Sequence, residues 1–270
     1  TVNLVAQQEL RRETELSRIQ CADDSSAPGL LKAKELEACY PGITEPMGLK
    51  FIHILDEKLA PQKYKIDLGA PTRVNVLLPQ LDPLIMFGGY ISCLQFIRKL
   101  QANNFRVRIL LCESGRFDRA AVDAKLSSNP PLQLAVAESE VENISRKAST
   151  VVISPKDAFV CYSFWTGIKA HQLAQAVGKK FIFFLQEYEA IFHSYDSCYA
   201  IAEYVYRLPH RAIFNTTLLA DYFRSKNLGV FGLYKEDELE RHYVAYQHAL
   251  TPTSPPSLDE LTERKTKRLL

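Results

Sequence analysis

Three stretches of the chain hold residue types that could do chemistry. Gln186-Glu187-Tyr188-Glu189 sets two carboxylates directly after an apolar run. Partial burial there raises a carboxyl pKa and can make a general base. Glu187 is the candidate for contact with a ligand and the one candidate catalytic carboxylate, whereas Glu189 is read as a helix cap or an arginine partner. The two are read as pointing apart, not as an acid–base pair. Gly88-Gly89-Tyr90 stands where a helical pattern begins. Two glycines at a helix entrance leave backbone N–H groups free and remove side-chain bulk, which suits a phosphate or a sugar oxygen. The same pair fits a tight turn that needs positive φ, and both readings stand. Tyr162, Phe164 and Trp165 form an aromatic group of the kind that covers a sugar face. Trp165 fits a core position at a helix start equally well.

Other chemistries find little support. His171, His193 and His210 each stand alone, and spacing assembles no Ser/His/Asp set. There is no G-x-G-x-x-G or G-x-x-x-x-G-K-[ST] pattern, which disfavours a dinucleotide oxidoreductase. Asp-x-Asp is missing, so a divalent metal held on nucleotide phosphates by that device is not indicated. The six cysteines form no C-x-x-C, and several lie inside apolar runs, as reduced core thiols of a cytoplasmic protein do. With 33 basic and 31 acidic residues the net charge is +2, which gives no case for nucleic acid. No apolar run approaches the roughly 20 residues that span a bilayer, and the polar N-terminus has no signal-peptide core.

The elements that must position these residues follow an alternating pattern from Arg73 onward. Val74–Leu78 is an apolar, β-branched run ending at Pro79, a loop follows, and Ile91, Leu94, Phe96, Ile97 and Leu100 mark a helix face. Further strands are expected at 105–112, 130–136, 158–163, 180–185 and 211–214. Helices are expected at 118–126, 138–146, 166–177, 197–206 and 216–226, and a charged helix after Gly232 to about Gln247. Apolar strands separated by helices predict an α/β fold, a Rossmann-like doubly wound parallel sheet. In such sheets ligands bind outside the carboxyl ends of the strands. That rule selects the loop through Gly88-Gly89-Tyr90, Glu113–Arg116, Tyr162–Thr166 and Gln186–Glu189, with Asn215-Thr216 behind the last strand. Residues 1–49 read as a helical and irregular extension, and 40–70 as irregular apart from a strand at Phe51–Leu55. Residues 50–250 read as the Rossmann-like domain. Residues 251–270 read as a linker and the start of a further domain, with a strand at 267–270.

The run Val74–Tyr90, with Phe184–Glu189 and Ala212–Thr216, resembles the N-terminal half of bacterial rhamnosyltransferases of the rhamnan-synthesis and S-layer-glycan type. The resemblance implies a GT-B fold in which two Rossmann-like domains face each other across a cleft. This half would hold a glycan or lipid-linked glycan acceptor. The other, a missing C-terminal donor domain, would hold the nucleotide sugar, by resemblance dTDP-rhamnose. Gly88, Gly89 and Tyr90 match the loop that closes on the donor phosphates. Gln186 and Glu187 stand where many related transferases carry a histidine, so no catalytic base transfers by position. The implied reaction needs no metal or other cofactor, and the implied location is cytoplasmic, with attachment to the inner face of the cell membrane as an option. This half alone is expected not to turn over. The alternative is a non-catalytic nucleotide- or glycan-binding module of a multidomain protein.

Overall fold

In the computed structural model, Leu55 and residues 57–113, 117–145, 149–247 and 256–267 are described. The main sheet is built from β2 (Val74–Leu78), β3 (Val107–Leu111), β4 (Glu140–Asn143), β6 (Ala158–Cys161), β7 (Phe181–Leu185), β8 (His210–Phe214) and β9 (Tyr243–Ala245). A separate parallel pair joins β1 (Lys63–Ile66) to β5 (Thr150–Ile153). The order in the seven-stranded sheet is β4-β3-β2-β6-β7-β8-β9, and every pairing is parallel. The chain therefore winds outward from β2 in one direction, returns to β6 on its other side and continues outward. This is the doubly wound α/β architecture expected, and its switch point lies between β2 and β6.

Strand alternation divides the core between the two faces of the sheet. Val76, Leu78, Ile109, Leu111 and Phe184 bury one face beneath α1 (Gly88–Ala102), α2 (Arg119–Leu126) and α3 (Pro130–Ala137). Leu77, Leu110, Cys161, Phe183 and Phe214 bury the other beneath α4 (Phe164–Ala176), α5 (Ser197–Tyr206), α6 (Thr217–Ser225) and the single turn α7 (Val230–Leu233). Single 3₁₀ segments follow at Glu189–Phe192 and Glu236–Arg241, and α8 (Leu258–Lys267) ends the described chain. Four described cysteines, Cys93, Cys112, Cys161 and Cys198, are buried free thiols.

Several local expectations are overturned. Residues 130–136 form α3, not a strand. Pro130 and Pro131 sit in the first turn, where a missing N–H costs nothing, and Leu132, Ala135 and Val136 bury one helical face. Residues 140–143 form edge strand β4 where a helix was expected. Its carboxylates match cations at the starts of β2 and β3: Glu140 pairs with Arg73 and Arg106, which precede those strands, and Glu142 with Arg108 on β3. The segment after Gly232 is a 3₁₀ turn followed by β9, because the open edge of β8 accepts a Tyr-Val-Ala strand. Lys63–Ile66, read as irregular, is β1, and β5 was not anticipated. Residues 1–49, positions 51–54 of the strand expected at Phe51–Leu55, the loop at 114–116, the linker at 251–255 and residues 268–270 lie outside the described residues, and Leu55 itself is helical, not extended. Lys267 itself ends α8 instead of opening a strand.

Candidate functional site

At the carboxyl end of the sheet, around the switch point, lies a cleft of about 510 Å³. It is lined by Gly88, Gly89 and Tyr90 from α1, Tyr162 after β6, Gln186, Glu187 and Glu189 after β7, and Asn215 after β8. Ile85, Phe87 and Ser92 complete it. Five of the six residues singled out in the sequence thus meet in one place. Trp165 does not: it packs on Phe164 at 4.4 Å between ring centroids, under the Lys58 ammonium, against the core.

One wall is the N-terminus of α1. Phe87 is the N-cap in extended conformation and gives no side-chain cap, and the first turn carries no acidic residue. The first intrahelical N–H belongs to Ile91, which donates to Phe87 O at 3.1 Å. A helix of 15 residues therefore presents its first N–H groups and the positive end of its dipole to the cleft. Neither glycine has positive φ, so the tight-turn reading is overturned. Their roles differ. A Cβ at Gly88 would meet open space, whereas one at Gly89 would lie 2.5 Å from the Tyr162 hydroxyl and 3.4 Å from the Gln186 amide. Gly89 is there so that α1 can approach β6 and β7 closely.

The floor is aromatic. Tyr90 and Tyr162 lie with ring centroids 4.9 Å apart, and burial raises both phenols above their ordinary pKa, so they stay neutral hydrogen-bonding groups. The Ser92 and Tyr246 hydroxyls are 3.1 Å apart and tie α1 to the chain just past β9.

The far wall carries the carboxylates. Glu187 and Glu189 both line the cleft, contrary to the expectation that they point apart, because the strand ends at Leu185 and the chain bends into the 3₁₀ segment that starts at Glu189. Glu187 is exposed. Glu189, which the sequence predicts to be a helix cap or an arginine partner, is more deeply placed. Its Oε1 accepts the Phe164 N–H at 3.0 Å, so it does cap α4, while its own N–H donates to the Tyr206 phenol oxygen at 3.0 Å. Burial pushes its carboxyl up to about 8, against the Phe164 hydrogen bond that favours the charged form, and Glu187 adds to the rise. A cap at one oxygen and a cleft at the other are compatible; only the second could not be seen from spacing. Gln186 is held through its carbonyl, which accepts from Asn215 Nδ2 at 3.0 Å.

No lysine or arginine lines the cleft among the described residues. It offers an anion a helix terminus, a hydroxyl group a raised carboxyl, and a sugar ring two phenols. Among the described residues no helix is long and apolar enough to cross a membrane. No individually curated protein matches the chain. Residues 73–217, which span β2 to the start of α6 and so include most of the cleft, match the model of the WsaF N-terminal domain, and the chain, more than half covered, belongs to that family and has a glycosyltransferase-related role.

Proposed function

We propose that this chain is the acceptor-side half of a GT-B glycosyltransferase that moves rhamnose from dTDP-rhamnose to a cell-surface glycan, without a metal. The observation that carries the reading is the opposition, across one cleft, of the uncapped α1 N-terminus and the raised carboxyl of Glu189. Breaking a sugar–phosphate bond builds negative charge on the departing diphosphate and removes a proton from the attacking hydroxyl. The N–H groups of Gly88, Gly89 and Tyr90 favour the first, and count most once a facing domain excludes water from the cleft. Glu189 accepts the second, its pKa close to the working range of a general base. This moves the base from Glu187 to Glu189.

Two features support a facing domain. Among the described residues the cleft has no basic side chain for the rest of the diphosphate charge, which fits a donor half that meets that charge from across the cleft. Leu84, Phe87, Ile191, Phe192 and Leu218, all on segments that follow strand ends at this side of the sheet, are exposed apolar residues awaiting a cover.

The test is a transfer assay on the chain together with its donor-binding half, comparing dTDP-rhamnose with other nucleotide sugars. Selective turnover of dTDP-rhamnose is expected, with kcat/KM rising as pH approaches about 8 and that rise lost in Glu189→Gln. Equal inactivity with every donor would sink the reading.

A further inference from the structure

His193 stands apart from other histidines in the sequence, but the fold gives it company. The chain leaves the 3₁₀ segment at His193, turns back at Tyr195 with φ of 53°, and enters α5 through Asp196 and Cys198. That reversal brings one ligating atom of each of His193, Asp196 and Cys198 within 4.8 Å of one another. The three donors are of different kinds: an imidazole nitrogen, a carboxylate oxygen and a sulfur. Such a mixed set suits zinc, and it disfavours magnesium or calcium, which take oxygen ligands.

We propose that His193, Asp196 and Cys198 form a zinc-binding site that fastens the segment after β7 to the N-terminus of α5. Zinc bonds of about 2.0–2.3 Å place tetrahedral ligand atoms roughly 3.3–3.8 Å apart, so the three side chains close by about 1 Å around the ion. Asp196 caps α5 through Oδ1, which accepts from Tyr199 N–H at 2.9 Å, and its second oxygen is left for the metal. Cys198 is buried at 8% exposure and anchors the site to the helix, while His193 is half-buried and Asp196 exposed, which leaves an entry path. The His193 ring is steadied by an edge contact to Phe164, with centroids 5.6 Å apart. Three protein ligands leave a fourth position for water.

None of the three lines the cleft. The zinc therefore acts on the local structure and not on the chemistry of the cleft. It holds the far end of the loop whose near end carries Gln186, Glu187 and Glu189, and the inference does not depend on the glycosyltransferase reading.

The whole chain, stripped with chelator, would be titrated with cobalt(II) and then zinc(II). About one cobalt per chain should bind with a thiolate-to-cobalt charge-transfer band in the near ultraviolet, displaced by zinc. Zinc should raise the unfolding temperature of the wild type. Cys198→Ser should abolish the band, with Cys198→Ala as a second variant and circular dichroism confirming that each folds. His193→Ala and Asp196→Ser should weaken zinc binding by about tenfold or more. Asp196→Ser is chosen because serine keeps the helix cap and removes only the carboxylate. A wild type without the charge-transfer band, or a band that survives Cys198→Ser in a folded protein, would overturn the proposal.

Discussion

Replacing Glu189 by glutamine tests the cleft without any substrate. Glutamine keeps an oxygen to accept the Phe164 N–H and removes only the ionisation. In the folded chain the carboxyl is raised from 4.5 to about 8. Below the unfolded value both states hold the proton, and the group has no effect on stability. As pH rises from there toward 8, the unfolded chain ionises while the folded one keeps its proton, so the unfolding free energy falls; above 8 the loss is complete. The full interval corresponds to about 5 kcal/mol, and water on the cleft side of the carboxyl reduces this to about 2–3 kcal/mol. The variant cannot lose what it cannot ionise. Urea denaturation of both proteins across roughly pH 5 to pH 9 should therefore give curves that start together and diverge, with the variant more stable at the alkaline end. Because every other titrating group is shared, the difference between the curves isolates this residue. Parallel curves, or a variant less stable at high pH, would show that Glu189 is not held protonated and would remove its claim to be the base.

Four further outcomes follow from the same geometry. Gly89→Ala should destabilise the fold by about 1–3 kcal/mol in thermal or urea unfolding, because its Cβ lands 2.5 Å from the Tyr162 hydroxyl, while Gly88→Ala should be near neutral. Adding Tyr162→Phe should recover part of the Gly89→Ala loss, a coupling of about 1 kcal/mol in a double-mutant cycle, and strict additivity would refute the contact. His210 is fully buried, with Nδ1 on Leu208 O at 2.7 Å and Nε2 unpartnered, and burial lowers its pKa to about 4. Stability should fall as pH drops from 6.5 toward 4, by about 3 kcal/mol, and His210→Asn should flatten that slope. Arg108, at 4% exposure, bonds Asn75 Oδ1, Glu142 and Val152 O, so Arg108→Leu should cost about 3–5 kcal/mol in urea unfolding by stranding those partners.

The parts of the fold that could be read directly were those whose burial leaves a mark on composition. Val74–Leu78, Phe181–Leu185 and the helix face of α1 are apolar because both faces of a central parallel strand, and one face of each covering helix, must leave water. The edges gave the wrong signal for the same reason. Edge strand β4 is Glu-Val-Glu-Asn, charged because its partners are arginines on and just before other strands, and nothing within those four residues names them. In α3, two prolines and an apolar run look like a strand until the buried positions are seen to recur at helical spacing.

The site divides along a similar line. The amino-acid sequence by itself determined at which end of the sheet the candidate site lies, because a doubly wound sheet has one end at which its loops gather, and it placed Gly88, Gly89, Tyr90, Gln186 and Glu187 at that end. Only the tertiary structure decided what each residue does there. It laid Trp165 against the core, gave Gly89 to packing and Gly88 to open space, and set Glu189 between the α4 cap and the cleft. It also drew His193 beside Asp196 and Cys198. The physical reason is common to all of these: a side chain's pKa, its ligands and the room around it depend on atoms brought close by packing of distant strands and helices, and local residue spacing carries no record of that distance.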